Sequence, residues 1–291
     1  MIDDTRLRQV LEEGLGRPVG DFDREPLGGG CINDAFVVDV GERFVVKGND
    51  RPLPHQFESE ARGLEALRAA GGPLVIPRVL GFRDDAQNGG FLVIEYLEPG
   101  RRAPDFDERL GHGLASLHRH ADDRGFGFDV DGYCGATPQP NPWTDRWPAF
   151  YAEHRIRHHV RLAADRGLDR GTVDLLDSIA DRLEEWIDDG PSSLIHGDLW
   201  SGNLHCTADG APALIDPAAY FGHREAELGM MSLFGGFGPA VWEAYQEAWP
   251  LEPGWRQRLG LYELYHLINH YVLFGGAYAA STRDCALRYA G

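Results

Sequence analysis

The stretch His196-Gly197-Asp198-Leu199-Trp200-Ser201-Gly202-Asn203 sets an acid and an amide five residues apart, with a histidine two residues before the acid. That is the spacing a phosphoryl-transfer loop needs. Asp198 can accept the proton of an attacking hydroxyl while orienting it. Asn203 offers a neutral carbonyl oxygen to a magnesium ion already crowded by phosphates. His196 suits a brace for the loop backbone. A second acid, Asp216, follows in Leu214-Ile215-Asp216-Pro217. A strand-turn-strand over 203–216, turning at Asp209-Gly210, returns Asp216 close to Asn203. Two oxygen ligands from adjoining loops suit Mg²⁺, which keeps waters and takes phosphate oxygens for the rest.

Three upstream features match. Gly28-Gly29-Gly30 lies just before two strand-like runs, where backbone N–H groups can approach a triphosphate. Lys47 ends the second run, a point charge on a flexible stem that can reach the α- and β-phosphates. Glu60 lies on the next helical stretch and can pair with it, with Glu58 as its rival. Of 28 basic residues, Lys47 is the one lysine; the rest are arginine. A GC-rich genome or salt adaptation explains the bias, and marks the surviving lysine as a position where arginine would not serve.

The elements that must carry these residues follow from periodicity. Residues 3–15 read as an amphipathic helix. Strand-like runs cover Phe36–Val40 and Arg43–Lys47 around a Gly41-Glu42 turn. A helix is expected over Phe57–Ala70, with apolar residues at 57, 61, 64 and 67. Phe91–Ile94 reads as a buried strand ending in the hinge-like Glu95-Tyr96-Leu97-Glu98-Pro99-Gly100. Beyond it helices dominate: Asp107–Arg119, Asp145–Arg166, Arg170–Asp188, Pro239–Trp249 and Trp255–Tyr278. The stretch Thr137–Pro142 is linker-like but too short to separate domains. The reading is an α+β, two-lobed chain: a small β-rich N-lobe over residues 1–96 and a larger, mainly helical C-lobe over 97–291.

Composition excludes several classes. The chain has 291 residues, 43% hydrophobic, enough for a sizeable core without disulfides or metals. The formal charge of -18 disfavours nucleic acid and anionic membranes. The acidic start has no signal-peptide pattern, and no apolar run is long enough to span a bilayer. The cysteines, Cys31, Cys134, Cys206 and Cys285, are dispersed with no C-x-x-C pair, which points to a reducing cytoplasm. Cys206, on a short strand, is expected to be buried. The pairs His154/His158 and His266/His270 have the spacing of two zinc ligands on a helix, without H-E-x-x-H or an evident third ligand.

Taken together, GGGCINDAF at 28–36, FVVK at 44–47, FESEARGL at 57–64, TPQPNPWTDRW at 137–147, HGDLWSGN at 196–203 and IDPAAYFGHREAELGM at 215–230 resemble the fructosamine kinase (ketosamine 3-kinase) family. That family lies within the protein-kinase-like superfamily, and the resemblance runs from about residue 15 to the C-terminus. It implies ATP-dependent phosphorylation of the sugar 3-hydroxyl of a ketosamine, free or protein-bound. The product sheds its sugar, which makes the activity one of deglycation. It also implies Asp198 as base, Asn203 and Asp216 as Mg²⁺ ligands, and Lys47 with Glu60 on the ATP phosphates. The Glu95 and Leu97 backbone would meet adenine, and Trp200 would stack on substrate. Asp-Pro-Ala stands where protein kinases have Asp-Phe-Gly, and no Ala-Pro-Glu segment follows. Activation-loop control and peptide hydroxyl acceptors are therefore not implied.

Other readings stay beside this one. An aminoglycoside- or choline-type small hydroxyl acceptor keeps the chemistry and changes the substrate. A non-catalytic nucleotide-binding module would lack Lys47, Asp198 or Asn203. A zinc hydrolase would use the histidine pairs. Trp200 also reads as core, and Glu225 and Glu227 as braces of the catalytic loop. Cys31, after the three glycines, reads either as a redox-sensitive thiol in an electropositive nest or as an inert packed residue.

Overall fold

The computed structural model describes residues 2–28 and 34–290. Gly29, Gly30 and Cys31, with the expectations placed on them, therefore lie outside the described residues.

Helix α1 (Asp4–Leu15) starts where the Asp3 carboxylate accepts from the Thr5 and Arg6 amides, and stops at Gly16 in the left-handed region, φ 65. Strands β1 (Arg24–Pro26), β2 (Asp34–Asp39), β3 (Arg43–Asn49), β4 (Val79–Arg83) and β5 (Gly90–Glu95) form one antiparallel sheet in the order β1-β2-β3-β5-β4. Helix α2 (Gln56–Ala70) lies between β3 and β4 in sequence. Strand alternation sorts the side chains. Phe44, Val46, Phe91 and Val93 pack with Leu7, Val10 and Leu11 of α1. Val45, Leu92 and Ile94 face the other way, with Phe57, Ala61 and Leu64 of α2. Lys47 shares the face of Val45, so the sheet's own period aims it toward α2.

The start of α2 has no cap of its own: His55 sits at φ 57 and makes no side-chain cap bond. Asp84, just after β4, supplies one, accepting from the amides of Phe57 (3.2 Å) and Glu58 (2.8 Å). The helix bearing Glu60 is thus pinned to the sheet at its first turn.

Beyond β5 come α3 (Phe106–His118), the hairpin β6 (Gly132–Cys134) and β7 (Thr137–Gln139), and α4 (Trp147–Phe150), which continues as a π-helical turn, Tyr151–Arg157, into α5 (His158–Asp165). Next are α6 (Arg170–Asp181), β8 (Ser193–Ile195), the hairpin β9 (Leu204–Cys206) and β10 (Pro212–Leu214), and β11 (Tyr220–Gly222), which pairs with β8. Four helices close the chain: α7 (Arg224–Phe234), α8 (Pro239–Ala248), α9 (Trp255–Phe274) and α10 (Tyr278–Leu287). One core joins α5, α6, α9 and α10 around Trp147. Another runs from α2 and the sheet through Leu110, Leu194, Leu214 and Leu228. The sheet layer and the helices therefore share an apolar core.

Several expected elements differ from those observed. The helix expected over Trp255–Tyr278 breaks at Gly275 and Gly276, φ 66 and 61, and α10 begins beyond them. The helix expected to reach Asp188 ends at Asp181, where Arg182 leaves helical geometry at φ -112. The helix expected from Asp145 starts at Trp147, with Pro148 in its first turn. Helix α7 and strand β4 were not foreseen. The Thr137–Pro142 stretch is no linker: Thr137, Gln139 and Asn141 are buried. Cys206 is half-buried rather than buried, and Cys134, Cys206 and Cys285 are free thiols. Among the described residues, no helix is long and apolar enough to cross a membrane.

Gly111 is the contact point between α3 and α8. A Cβ there would lie 2.3 Å from the Val241 carbonyl and 2.8 Å from the Ala244 methyl. Gly111→Ala should therefore force the two helices apart and lower stability by about 1–3 kcal/mol despite alanine's better helix propensity. Denaturant unfolding checks this; a stability equal to or above wild type would contradict the packing.

Candidate active site

The loop between β8 and β9 holds Asp198 and Asn203, and its shape is set from below. The buried Glu227 carboxylate on α7 accepts from the amides of His196 and Gly197 (3.2 Å for Gly197). His118 Nε2 lies 3.8 Å from the same carboxylate. His196 works as the expected brace: its Nε2 reaches the Ile215 carbonyl at 2.8 Å, and its Nδ1 accepts from the Asp198 amide at 3.3 Å. Gly197, at φ 81, brings the backbone so near the Ala218 carbonyl that a Cβ would stand 2.2 Å from that oxygen. The Ala218 amide donates to the His196 carbonyl (2.9 Å). These contacts tie the catalytic loop to the segment after Asp216. Glu225, expected beside Glu227 as a brace, does something else: it forms a two-pronged pair with Arg258 on α9, at 2.5 and 2.8 Å.

Asn203 Nδ2 donates to the Asp198 carbonyl (2.9 Å) and lies 3.4 Å from Asp198 Oδ2 and 3.5 Å from the Asp216 carbonyl. With its nitrogen so committed, Asn203 Oδ1 is the atom left for a cation. Asp216 sits in the left-handed region, φ 57, directly before Pro217, a conformation few non-glycine residues adopt. The strain aims an exposed carboxylate back over the sheet. There Asp216 Oδ1 meets Lys47 Nζ at 2.9 Å, while Glu60 Oε1 meets it from α2 at 2.6 Å. Glu58, the rival partner, pairs with His55 instead. Burial works against the charge on Lys47, but the Glu60 and Asp216 carboxylates outweigh it and raise its pKa. Asp198 is pushed up to about 8, by burial first and then by the fields of Glu227 and Asp216.

The remaining expected residues scatter around this centre. Glu95 donates its amide to the Arg78 carbonyl (2.8 Å), and the Leu97 carbonyl accepts from His205 Nε2 (3.0 Å). Gly28 is exposed at the end of the β1 segment. Trp200 is 42% exposed, so it is not core; its indole lies over Gly202, where a Cβ would come within 2.2 Å of the ring. The histidine pairs do not act as pairs. His158 Nε2 bonds the Pro138 carbonyl at 3.0 Å, and His270 Nδ1 bonds the His266 carbonyl at 2.8 Å.

Sequence reasoning passed over one support. Arg155, in the π-helical turn, is fully buried, 4.0 Å from the centre of the Tyr220 ring. It donates to the Pro140 carbonyl and to Asn141 Oδ1, each at 2.7 Å. In the same segment Gln139 donates to the Ala218 carbonyl (3.1 Å) and accepts from Tyr265 (2.7 Å). The TPQPN stretch is thereby locked to the backbone beside Asp216. Its polar residues inside an apparent linker were the available signal.

A five-stranded antiparallel sheet carrying a helix-paired lysine, over a helical part that carries the Asp-Asn loop, is the protein-kinase-like fold. A thermostable mutant of aminoglycoside phosphotransferase APH(4)-Ia, solved with ADP and hygromycin B, has the same fold: TM-score 0.61, 19% identity, 98% of this chain and 99% of that one. The fructosamine kinase family model matches residues 4–288, and the chain belongs to that family. As a member it is an ATP-dependent phosphotransferase. The protein-ribulosamine 3-kinase, chloroplastic, of Oryza sativa subsp. indica is 40% identical over 277 residues, 94% of this chain and 79% of that protein. A solved structure from Thermobifida fusca YX-ER1, of a candidate fructosamine-3-kinase, aligns with TM-score 0.85 and 37% identity over 96% of each chain.

Glu227→Gln keeps the size of the side chain but faces one loop amide with an NH₂ group. It should cost about 1–3 kcal/mol of stability for the amide left unsatisfied and lower turnover with it. Thermal unfolding and initial rates on the same sample check this; unchanged values in both would remove Glu227 from the loop's support.

Proposed function

We propose that this chain transfers the γ-phosphoryl group of ATP to the sugar 3-hydroxyl of a ketosamine, free or protein-bound, with Asp198 as the base. The observation that carries the reading is the meeting of Lys47 with Glu60 and Asp216 beside the loop of Asp198 and Asn203. Glu60 holds the ammonium of Lys47 in place to receive the α- and β-phosphates. Asp198 accepts and orients the acceptor hydroxyl, and a carboxylate raised toward neutrality is a better proton acceptor than an ordinary one. The Glu95 amide and Leu97 carbonyl are already bonded, so adenine would be read by the Glu95 carbonyl and the Leu97 amide. Trp200, exposed on the catalytic loop, offers a flat apolar face to the acceptor.

Asn203 Oδ1 and the Asp216 carboxylate form an all-oxygen donor set, which fits Mg²⁺. These two residues would hold the ion, and it would supply neutralisation of phosphate charge. In the same reading residues 1–96 act as the nucleotide lobe and 97–291 as the acceptor lobe, hinged at Glu95–Gly100. The dispersed free cysteines fit work in a reducing cytoplasm.

Incubation with ATP, Mg²⁺ and synthetic ribulose-lysine and fructose-lysine should yield the 3-phosphate, while aminoglycosides and choline stay unphosphorylated; the opposite pattern would move the enzyme to the other acceptor class. Asp198→Asn should cut turnover by about 10²–10⁴-fold and leave ATP binding intact. Retention of most of the wild-type rate would displace Asp198 as the base.

Lys47→Arg tests the other half of the site. A planar fork does not replace a compact ammonium among phosphates. The loss of one charge-assisted hydrogen bond, ~1.5–3 kcal/mol, corresponds to a roughly ten- to hundredfold drop in kcat/KM for ATP. Full activity in this variant would reduce the single lysine to an accident of composition.

A further inference from the structure

The His266/His270 spacing does not make a metal site, yet His266 belongs to a different constellation. One ring nitrogen of His266, the Cys134 Sγ and a carboxylate oxygen of Asp198 all lie within 4.8 Å of one another. They come from α9, from the end of β6 and from the catalytic loop, three segments far apart in sequence. Cys134 and His266 are buried, and Asp198 is partly buried. Thiolate, imidazole and carboxylate are the ligand types that zinc takes, and a thiolate selects against the hard Mg²⁺.

The surroundings fit an ion rather than a closed core. His266 Nδ1 and Asn269 Oδ1 are buried and have no hydrogen-bond partner among the described residues. Asn269 sits one turn beyond His266 on α9 and donates to the Cys134 carbonyl at 3.2 Å. Its side chain, with that of Tyr265, lies against the Cys134 thiol. Ligand atoms around a tetrahedral zinc ion stand about 3.2–3.8 Å apart, given bonds of ~2.0–2.3 Å. The three side chains need to close by roughly an ångström.

We propose that Cys134, Asp198 and His266 form an inhibitory zinc site that captures the catalytic carboxylate. On binding, the Cys134 thiol releases its proton to solvent and the thiolate, the imidazole and one Asp198 oxygen take three positions on the ion, with water in the fourth. Asp198 can then no longer accept a proton from the acceptor. The metal site stands on the cluster alone; its inhibitory effect rests on the reading of Asp198 as the base.

The probe is Co²⁺, added to the reduced, chelator-stripped full chain with Mg²⁺ in excess to fill the oxygen site. A thiolate-to-cobalt charge-transfer band should grow and saturate at one ion per chain, and Zn²⁺ should abolish it. Cys134→Ser should remove the band, and His266→Gln should weaken Co²⁺ binding by about tenfold or more. In the phosphoryl-transfer assay, Zn²⁺ should inhibit wild type despite excess Mg²⁺, and Cys134→Ser should need about tenfold more Zn²⁺ or higher for the same loss. Circular dichroism establishes that each variant is folded. If Cys134→Ser does not fold, the wild-type titration and His266→Gln decide.

Absence of a thiolate band in wild type overturns the proposal. So does a band that survives Cys134→Ser in a folded protein, or zinc inhibition equal in the two proteins. A band that forms and is lost as expected, in a chain that phosphorylates no ketosamine, would instead overturn the proposed function and leave the metal site standing.

Discussion

The ammonium of Lys47 is held out of water between Glu60, equally buried, and Asp216, about half exposed. Removing one partner of such a buried pair typically costs about 3–5 kcal/mol, because the other charge is left uncompensated. Much of the layout keeps these three groups together. Strand alternation turns Lys47 toward α2, Asp84 pins the first turn of α2, and a strained backbone turns Asp216 back over the sheet. The network is asymmetric in a useful way. Glu60 is a buried partner and Asp216 a half-exposed one; in the proposed function Asp216 would exchange Lys47 for a cation as phosphates arrive.

The catalytic loop is supported by the same principle, with a buried carboxylate facing backbone donors. Three backbone groups of residues 196–198 are met by fixed partners: Glu227 takes the amides of His196 and Gly197, and the His196 ring takes that of Asp198. No helix or sheet ladder could supply these bonds at a sharp bend, so buried side chains do. This buries a carboxylate and a histidine that support the loop, next to the aspartate proposed as the base. The field of Glu227 also contributes to holding Asp198 above its ordinary range.

Arg155 and Gln139 fasten the TPQPN segment to the Tyr220 ring and the Ala218 carbonyl. Cys134 and His266 are carried to Asp198 by that hairpin and by α9. The surroundings of Asp198 are thus assembled from the middle and the end of the chain, and those of Lys47 mostly from its beginning. The apolar core shared by α2, the sheet and the later strands links the two.

The sequence by itself determined the chemistry and its order along the chain. Residue types at set spacings, Lys47, Glu60, Asp198, Asn203 and Asp216, are local facts, and a hairpin as short as 203–216 can return its ends in only one way. Strand and helix periods gave β2, β3, β5, α2 and α3 because those elements bury one clean face. Tertiary structure decided the rest. Helix α7 was hidden because it is buried nearly all round and shows no polar face, and α10 because it buries only Thr282, Cys285 and Ala286 and shows no clean apolar face. The choice of Glu60 over Glu58 depends on the rotation of α2, which is set by Asp84 from outside the helix. The partition between Glu225 and Glu227 depends on which side of α7 meets α9 and which meets the loop. The Cys134–Asp198–His266 cluster had no signal at all in the sequence, because its members come from three segments that meet only in the folded chain.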